Sequence, residues 1–149
     1  MFEIIIDTRE QKAFTFTSIS PRPKIKYQGL STGDYSVIGY EDQITIERKS
    51  LPDLFGSFGK GRKRLRSEFE RMAEYDYAAI VIEQSLSDIF QNPPPSSQMN
   101  PKAVFRSLLS WSMKYHVYCW PAPDRVFAER MTYLLLKRYY LQQAGEKTK

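Results

Sequence analysis

Three side chains with the chemistry of a metal-dependent phosphodiesterase lie close together in the sequence, at Asp34, Glu47 and Lys49. Two carboxylates offer the oxygen ligands that a hard divalent cation such as Mg²⁺ prefers. A neighbouring ammonium can orient or deprotonate a metal-bound water for attack on phosphorus. Because successive strand residues alternate faces, Glu47 and Lys49 point the same way and Arg48 the other way. If the strand of Asp34 runs beside that of Glu47, the three groups share one pocket.

The same residues also have an ordinary structural interpretation. Asp34 ends a Ser-Thr-Gly-Asp string that is typical of a turn, where Asp commonly accepts hydrogen bonds from backbone amides. Glu-Arg-Lys is frequent at solvated strand ends. On spacing alone, the acidic pair followed by lysine is a weak pattern for a nuclease.

The string Asp7-Thr8-Arg9-Glu10 ends the first predicted strand, at the sheet edge where open α/β folds keep their sites. Asp7 or Glu10 is therefore a candidate for a further metal contact, or for holding a water beside the metal. A local pair between arginine and a carboxylate in a loop is the alternative.

The pattern of apolar residues predicts a layered α/β fold with a mixed central sheet, because strands and helices alternate in the second half. Strands are predicted at residues 2–6, 24–27, 34–40, 43–49, 78–83 and 117–120, with a hairpin joining the third and fourth. Helices are predicted to begin at Ser50, Arg62, Asn100 and about Asp124, with a surface loop at 92–98. The last helix is expected to bury Phe127, Met131, Leu134, Leu135 and Tyr139.

The predicted second helix is strongly basic. Its cations cluster in the first half, which the helix dipole disfavours, and this placement favours phosphate contact over a merely solvated face. The predicted nucleic-acid contacts are Lys60, Arg62, Lys63 and Arg66. The alternative is a wet helix face in which Glu68, Glu70 and Glu74 are i,i+4 partners.

Length and composition limit the classes of protein. A chain of 149 residues with 42% hydrophobic residues predicts a single domain over 1–149, with a frayed tail from about 143. The net charge of +5 and pI near 9.3 are compatible with a polyanionic partner. One cysteine and one histidine exclude an internal disulfide, a zinc finger and a multi-histidine metal site. No apolar run is long enough for a membrane span or leader, so a cytoplasmic protein is expected.

Four segments in order carry a family resemblance. Gly33-Asp34, then Glu47-Arg48-Lys49 with Asp53 four residues later, resembles the G-D-x(n)-E-R-K-x3-D motif of the XPF/Mus-type structure-specific endonucleases. The Asp7–Glu10 string resembles that family's D-x-R-E segment, and Asn100-Pro101 resembles the start of its later helix. The similarity covers roughly residues 2–142 and implies the restriction-endonuclease-like, three-layer fold of the PD-(D/E)XK superfamily.

The resemblance also implies roles. Asp34 and Glu47 would be the principal ligands of Mg²⁺ or Mn²⁺, assisted by the main-chain carbonyl of Arg48. Lys49 would activate the attacking water. Asp7 would be a further acidic metal-site residue, and Asp53 would brace the basic groups. The Arg48 side chain should leave the metal face, so a structural ion pair is as consistent with its position as a phosphate contact.

The implied activity is cleavage of branched or flap DNA at single-strand/double-strand junctions, in DNA repair or recombination. Relatives often carry a helicase or helix-hairpin-helix modules, for which this chain has no room, so a stand-alone prokaryotic or phage-type protein is expected. Because nuclease domains of this family commonly pair, the resemblance also implies a homodimer or heterodimer through the C-terminal helices. Two alternatives stay open: a non-catalytic nucleic-acid-binding or scaffolding relative, and an RNA-binding or RNA-cleaving protein.

Overall fold

Six strands form one mixed sheet in this computed structural model, which describes residues 1–95 and 97–145. They are β1 (Glu3–Ile6), β2 (Lys24–Tyr27), β3 (Tyr35–Val37), β4 (Ile44–Lys49), β5 (Tyr77–Ile82) and β6 (Tyr118–Pro121). The spatial order is β2-β1-β3-β4-β5-β6. The pairs β1–β2, β4–β5 and β5–β6 are parallel, whereas β3 runs antiparallel to both β1 and β4. The first residue of β3 and the last residues of β1, β4 and β5 therefore lie at the same edge of the sheet.

Five helices flank the sheet among the described residues: α1 (Leu51–Phe58), α2 (Arg62–Met72), α3 (Leu86–Gln91), α4 (Pro101–Tyr115) and α5 (Arg125–Gln143). Three of the predicted helix starts have side-chain caps. The Ser50 hydroxyl, the Asn100 amide oxygen and the Asp124 carboxylate accept hydrogen bonds from the backbone N–H groups of Asp53, Lys102 and Phe127. Each cap satisfies one of the donors that a helix N-terminus leaves unpaired.

The sheet has a packed core on each face. On one face α1, α2 and α4 cover alternate residues of β5, with Phe55, Phe69 and Trp111 at the centre. On the other face α5 packs over β3, β4 and β5, together with Phe14 and Phe16 of the loop that follows β1. This gives the predicted three-layer α/β arrangement, in which helices lie on both faces of a mixed sheet.

The structure corrects some predicted boundaries. The third strand ends at Val37, and the fifth spans 77–82 rather than 78–83. The short helix α3 was not predicted, because its six residues are too few for a clear periodicity. The predicted frayed tail starts at the last residue of α5, and 146–149 lie outside the described residues, as does Ser96 of the predicted loop.

The predicted buried stripe of α5 is wrong in two positions. Phe127 and Leu134 are 47% and 56% exposed, whereas Glu129 and Thr132 are buried. The reason is that the Glu129 carboxylate accepts hydrogen bonds from the Phe16 amide and the Ser18 hydroxyl, which rotates a polar residue into the core. A buried carboxylate is tolerated because its oxygens are paired. Among the described residues, no helix has the length and apolar character that crossing a bilayer requires.

Candidate active site

Backbone hydrogen bonds on both sides fix Asp34 at the start of β3. The Asp7 amide donates to the Asp34 carbonyl at 2.8 Å, and the Asp34 amide donates to the Ile46 carbonyl at 2.9 Å. In addition, the Asp34 Oδ2 accepts the backbone N–H of Arg48 at 2.8 Å. The carboxylate is thereby held at the sheet edge next to the last residues of β4.

Gly33 makes this placement of Asp34 sterically feasible. Its φ of +82° lies in the left-handed region, and a Cβ built on it would lie 1.8 Å from the Thr45 Oγ1. The Thr45 hydroxyl itself donates to the Thr32 carbonyl at 2.7 Å, which fixes the turn against β4. The glycine of the sequence motif is therefore explained by a close approach of backbone to a buried side chain.

The last three residues of β4 alternate between two environments. The Lys49 Nζ lies 3.8 Å from the Glu47 Oε2, and the two side chains are 13% and 14% exposed. Arg48 points to the opposite face. Its guanidinium donates to both carboxylate oxygens of Glu10 at 3.0 Å and to Glu83 at 3.2 Å. The alternation of strand side chains thus separates an acid–lysine pair from an ion-pair network.

That network joins four parts of the chain. Arg125, at the start of α5, also donates to Glu83 at 2.9 Å and to the carbonyls of Lys12 and Ala13. Burial by itself would raise the pKa of Glu10, but the hydrogen bonds and charge of Arg48 outweigh it, so the pKa lies below its ordinary value. The loop after β1, the ends of β4 and β5, and the start of α5 are held by these charges.

A third carboxylate lies beside Glu47. Burial, the contact with Glu68 and the charge of Asp34 together raise the pKa of Glu47 well above its ordinary value. Burial also raises the pKa of Asp34, with a further contribution from the charge of Glu10. The Glu68 Oε1 is buried and has no hydrogen-bond partner among the described residues. The sequence patterns suggested only a helix-surface role for Glu68. The signal that could have placed it near Glu47 is its position four residues after Arg64, on the face of α2 that is turned towards β4.

Asp7 and Asp53 lie on two sides of this cluster. Asp7 is buried, and its carboxylate accepts from the Leu30 amide at 2.8 Å and from the Arg9 Nε at 3.0 Å. Both of its oxygens are therefore engaged within the protein. The exposed carboxylate of Asp53 forms no ion pair with Lys49 or Arg48, so the structure does not bring it into direct contact with the basic groups that it was expected to brace.

The predicted phosphate contacts divide into two groups. The Arg62 guanidinium stacks 4.8 Å from the Trp111 ring and donates to the Ser107 hydroxyl at 3.2 Å, and the Arg66 guanidinium lies 5.5 Å from the same ring. These two arginines face α4. Lys60 and Lys63 are exposed and line a shallow hollow together with Arg64, which was not among the predicted contacts.

The sequence model of the ERCC4 domain matches residues 6–135. The chain belongs to the ERCC4 domain family. Among solved structures, XPF from Aeropyrum pernix is similar with a TM-score of 0.73 and 21% identity, over 96% of this chain and 68% of that chain. The DNA complex of XPF from Aeropyrum pernix is similar with a TM-score of 0.68 and 20% identity, over 100% of this chain and 68% of that chain. A search of curated protein sequences finds no match to this chain.

Membership of the ERCC4 family confirms the predicted XPF-type resemblance, and the structural matches confirm the predicted fold class. The chain is thus an ERCC4 nuclease domain. The residues that carried the resemblance, from the Asp7–Glu10 string to Asn100-Pro101, all lie within the matched range.

The donor set of this ERCC4 domain fits a divalent cation of the kind that XPF-type nucleases use in general. Asp34 and Glu47 are hard oxygen donors in contact, and a buried orphan oxygen of Glu68 lies next to them. Within residues 1–95 and 97–145, no group of three or more His, Cys, Asp or Glu side chains is placed to hold a metal ion, so the fit rests on the pair Asp34 and Glu47.

Proposed function

We propose that this ERCC4 domain is a metal-dependent endodeoxyribonuclease that uses Mg²⁺ or Mn²⁺ to hydrolyse phosphodiester bonds, leaving a 5′-phosphate and a 3′-hydroxyl. The observation that carries the proposal is the convergence of Asp34, Glu47 and Lys49 at one edge of the sheet. Two carboxylates and one ammonium meet there, half-buried and beside open hollows. Such a group can hold a cation and orient a water for phosphodiester hydrolysis.

In this proposal Asp34 and Glu47 hold the cation, assisted by the main-chain carbonyl of Arg48. A bound divalent cation would lower the pKa of a coordinated water and offset charge on the phosphoryl oxygens. Lys49 lies next to Glu47, so its ammonium is placed to orient the attacking water and to stabilise negative charge on the phosphate. The half-buried environment strengthens these electrostatic interactions relative to open water.

The remaining candidate residues act on the position of these three. Because both Asp7 oxygens already accept hydrogen bonds, we propose that Asp7 fixes the loop before Asp34 rather than binding metal directly. Arg48 and Glu10 hold the end of β4 through their paired hydrogen bonds. Asp53 has an exposed carboxylate between the two hollows, where it can accept a hydrogen bond from a water near the scissile phosphate.

We propose branched DNA with a single-strand/double-strand junction as the substrate, such as a flap. The similar XPF from Aeropyrum pernix has been solved in complex with DNA, and the present chain has exposed cations at Lys60, Lys63 and Arg64, of which Arg64 also lines the hollow that contains Lys49. Such cations supply the salt-dependent affinity that a phosphate backbone requires.

Labelled flap, duplex and single-stranded DNA and RNA, each incubated with Mg²⁺, Mn²⁺ or EDTA, test this function. We expect cleavage of flap DNA that requires metal and that is lost in Asp34→Asn and Glu47→Gln, while both variants keep their affinity for DNA. Lys49→Ala should lose nearly as much activity. Metal-independent retention of DNA without cleavage would instead identify a binding or scaffolding protein. Preferential cutting of RNA would refute the DNA specificity.

We also propose that two copies of the domain pair through α4 and β6. Trp111 and Tyr139 of the last two helices are buried and do not form this surface. Instead, Leu109 and Met113 of α4 and Tyr118 of β6 are 48%, 76% and 54% exposed around an apolar groove. Since β6 is a sheet edge, its free backbone groups can pair with the same strand of a second copy.

Sedimentation velocity tests the pairing. The wild-type chain is expected to sediment as a dimer, and Met113→Glu as a monomer, because a charge in the middle of an apolar interface is costly to bury. Tyr27→Glu is the matched control: Tyr27 is 61% exposed on β2, at the opposite edge of the sheet, and this variant should remain dimeric. A wild-type chain that sediments as a monomer at every concentration would refute the interface.

A further inference from the structure

Two hollows flank the catalytic residues. The first, which we name the α2 hollow, is lined by residues of β4, α1 and α2, among them Lys49, Asp53, Arg64 and Glu68. The second, the β1 hollow, is lined by residues at the ends of β1 and β4, among them Arg9, Lys12, Asp34 and Asp53. Both have volumes near 500 Å³, within the range of small-ligand sites. Asp53 lines both, so the two hollows adjoin at this residue, with Lys49 in the first and Asp34 in the second.

The α2 hollow contains a cation that the protein leaves available. Arg64 is exposed and forms no hydrogen bond, ion pair or ring contact with the described residues. Residues three or four apart share a helix face, so Gly61, Arg64, Leu65 and Glu68 lie along the side of α2 that faces β4. Arg62 and Arg66 lie on the side that faces Trp111. The helix therefore uses one pair of arginines for packing and presents Arg64 to the site.

The β1 hollow also contains a cation that the protein leaves available, at Lys12. Its carboxylates Glu10 and Glu83 are paired with Arg48 and Arg125, and Asp7 is paired with Arg9. The exposed Lys12 has its main-chain groups engaged, but its ammonium contacts none of the described acidic side chains. Lys12 is thus an available positive charge in the hollow that contains Asp34, whereas Arg64 lines the other hollow.

From this arrangement we infer the path of the cut strand. The strand runs from the α2 hollow past Asp53 and the carboxylate pair into the β1 hollow, with Arg64 on a phosphate at one side of the scissile phosphate and Lys12 on a phosphate at the other side. This inference rests on the proposed function, and it assigns Arg64 and Lys12 as substrate-positioning contacts. Arginine and lysine are suited to this because both bind phosphate oxygens by charge-assisted hydrogen bonds.

Coupling between protein variants and neutral phosphates tests the path. Flap DNA is prepared with a single methylphosphonate at each backbone position near the junction, and the affinity of each DNA is measured by fluorescence anisotropy in EDTA. Arg64→Gln and Lys12→Gln should each weaken binding to unmodified DNA roughly tenfold, which is the loss of one charged hydrogen bond. Each should also lower the slope of log affinity against log salt by about 1.

The decisive result is non-additivity. Arg64→Gln should cause no further loss on the one DNA in which its phosphate is already neutral, and Lys12→Gln should show the same at a different phosphate of the same strand. The two positions should lie on opposite sides of the bond that the wild-type enzyme cuts with metal. Arg138→Gln removes the same charge from an exposed position near the end of α5, and its affinity should stay within about twofold of wild type.

Two further outcomes would overturn the path, and they are distinguishable from failure of the proposed function. Equal losses on every substituted DNA, or coupling of both variants on the same side of the cut, would refute the strand path while leaving the nuclease intact. Wild-type protein that binds DNA but never cuts it would refute the nuclease, whereas the two coupled positions would still be measurable in EDTA. Arg64→Lys, which retains the charge, should recover most of the affinity.

Discussion

Arg48 should contribute more to stability than to chemistry, and Arg48→Ala measures how much. Its guanidinium donates to both oxygens of Glu10 at 3.0 Å and to Glu83 at 3.2 Å, and the three side chains are 10%, 7% and 15% exposed. Alanine would leave Glu10 without its cation in a poorly solvated site. Removing one partner of a buried pair typically costs about 3–5 kcal/mol.

For a domain of this size, 1 kcal/mol shifts the Tm by about 2–4 °C, so the Tm of Arg48→Ala should fall by roughly 6–20 °C. The effect should depend on pH with a definite sign. Because the pKa of Glu10 is lowered in the folded protein, its stabilisation is present above the unfolded pKa and is lost as the pH falls through the folded pKa. The difference in Tm between wild type and Arg48→Ala should therefore be largest near pH 7 and shrink below about pH 4.

Differential scanning calorimetry in EDTA, from pH 3 to pH 8, gives the required measurement. Glu10→Gln combined with Arg48→Met serves as the second variant, because it removes the charge and its partner together and should recover part of the lost Tm. An Arg48→Ala protein that unfolds within 2 °C of wild type at pH 7 would refute the structural role. The side chain would then have to be assigned to substrate.

Three further outcomes are expected. Glu47→Gln should raise the Tm in EDTA, increasingly as pH rises above the usual glutamate range, because burial and neighbouring carboxylates raise the pKa of Glu47 and its ionised form destabilises the fold; an unchanged Tm would contradict this. Gly33→Ala should lower the stability by about 2 kcal/mol or more, and with it the Tm and the rate of cleavage, because the new Cβ would overlap Thr45. Circular dichroism melting measures the Tm and the flap assay measures cleavage. Gly39→Ala is the control, because Gly39 has a similar positive φ but a Cβ there would meet no neighbour. Cys119 should resist alkylation by iodoacetamide at pH 8, because burial raises its pKa to about 12; rapid labelling in the folded state would refute its placement.

The sequence predicted the arrangement of the strand end that carries Glu47 and Lys49 better than the surfaces around it. Strand alternation correctly placed Glu47 and Lys49 on one side of β4, and the caps at Ser50, Asn100 and Asp124 were predictable because each depends only on neighbouring residues. Periodicity and capping depend on residues that are close in the chain, so the structures that they determine can be predicted from the sequence alone.

What the sequence could not predict depends on contacts between distant segments. Glu129 is buried because its carboxylate accepts a hydrogen bond from the Phe16 amide, 113 residues away in the chain. The spacing of apolar residues in α5 does not predict that bond. Arg62 and Arg66 were predicted as phosphate contacts because they are basic. Both guanidinium groups also lie near the Trp111 ring of α4, a contact that only the packing of α2 against α4 reveals, and their contact with DNA stays a prediction. A cation in a basic helix is thus assigned to ligand or to packing by its tertiary neighbours.

Charged groups destabilise the fold on one face of β4 and stabilise it on the other, and this difference explains how the candidate site is kept in place. On one face, burial and neighbouring carboxylates raise the pKa of Glu47, so its ionised form costs folding free energy. On the other face, Arg48 lowers the pKa of Glu10 and contributes stability over the same neutral pH range. Since Glu47 and Arg48 are adjacent residues of one strand, the ion-pair network anchors the very backbone on which the carboxylates repel each other. A domain that only had to fold would gain by replacing Glu47 with a neutral residue, so a buried glutamate at this position is what the proposed metal site would require.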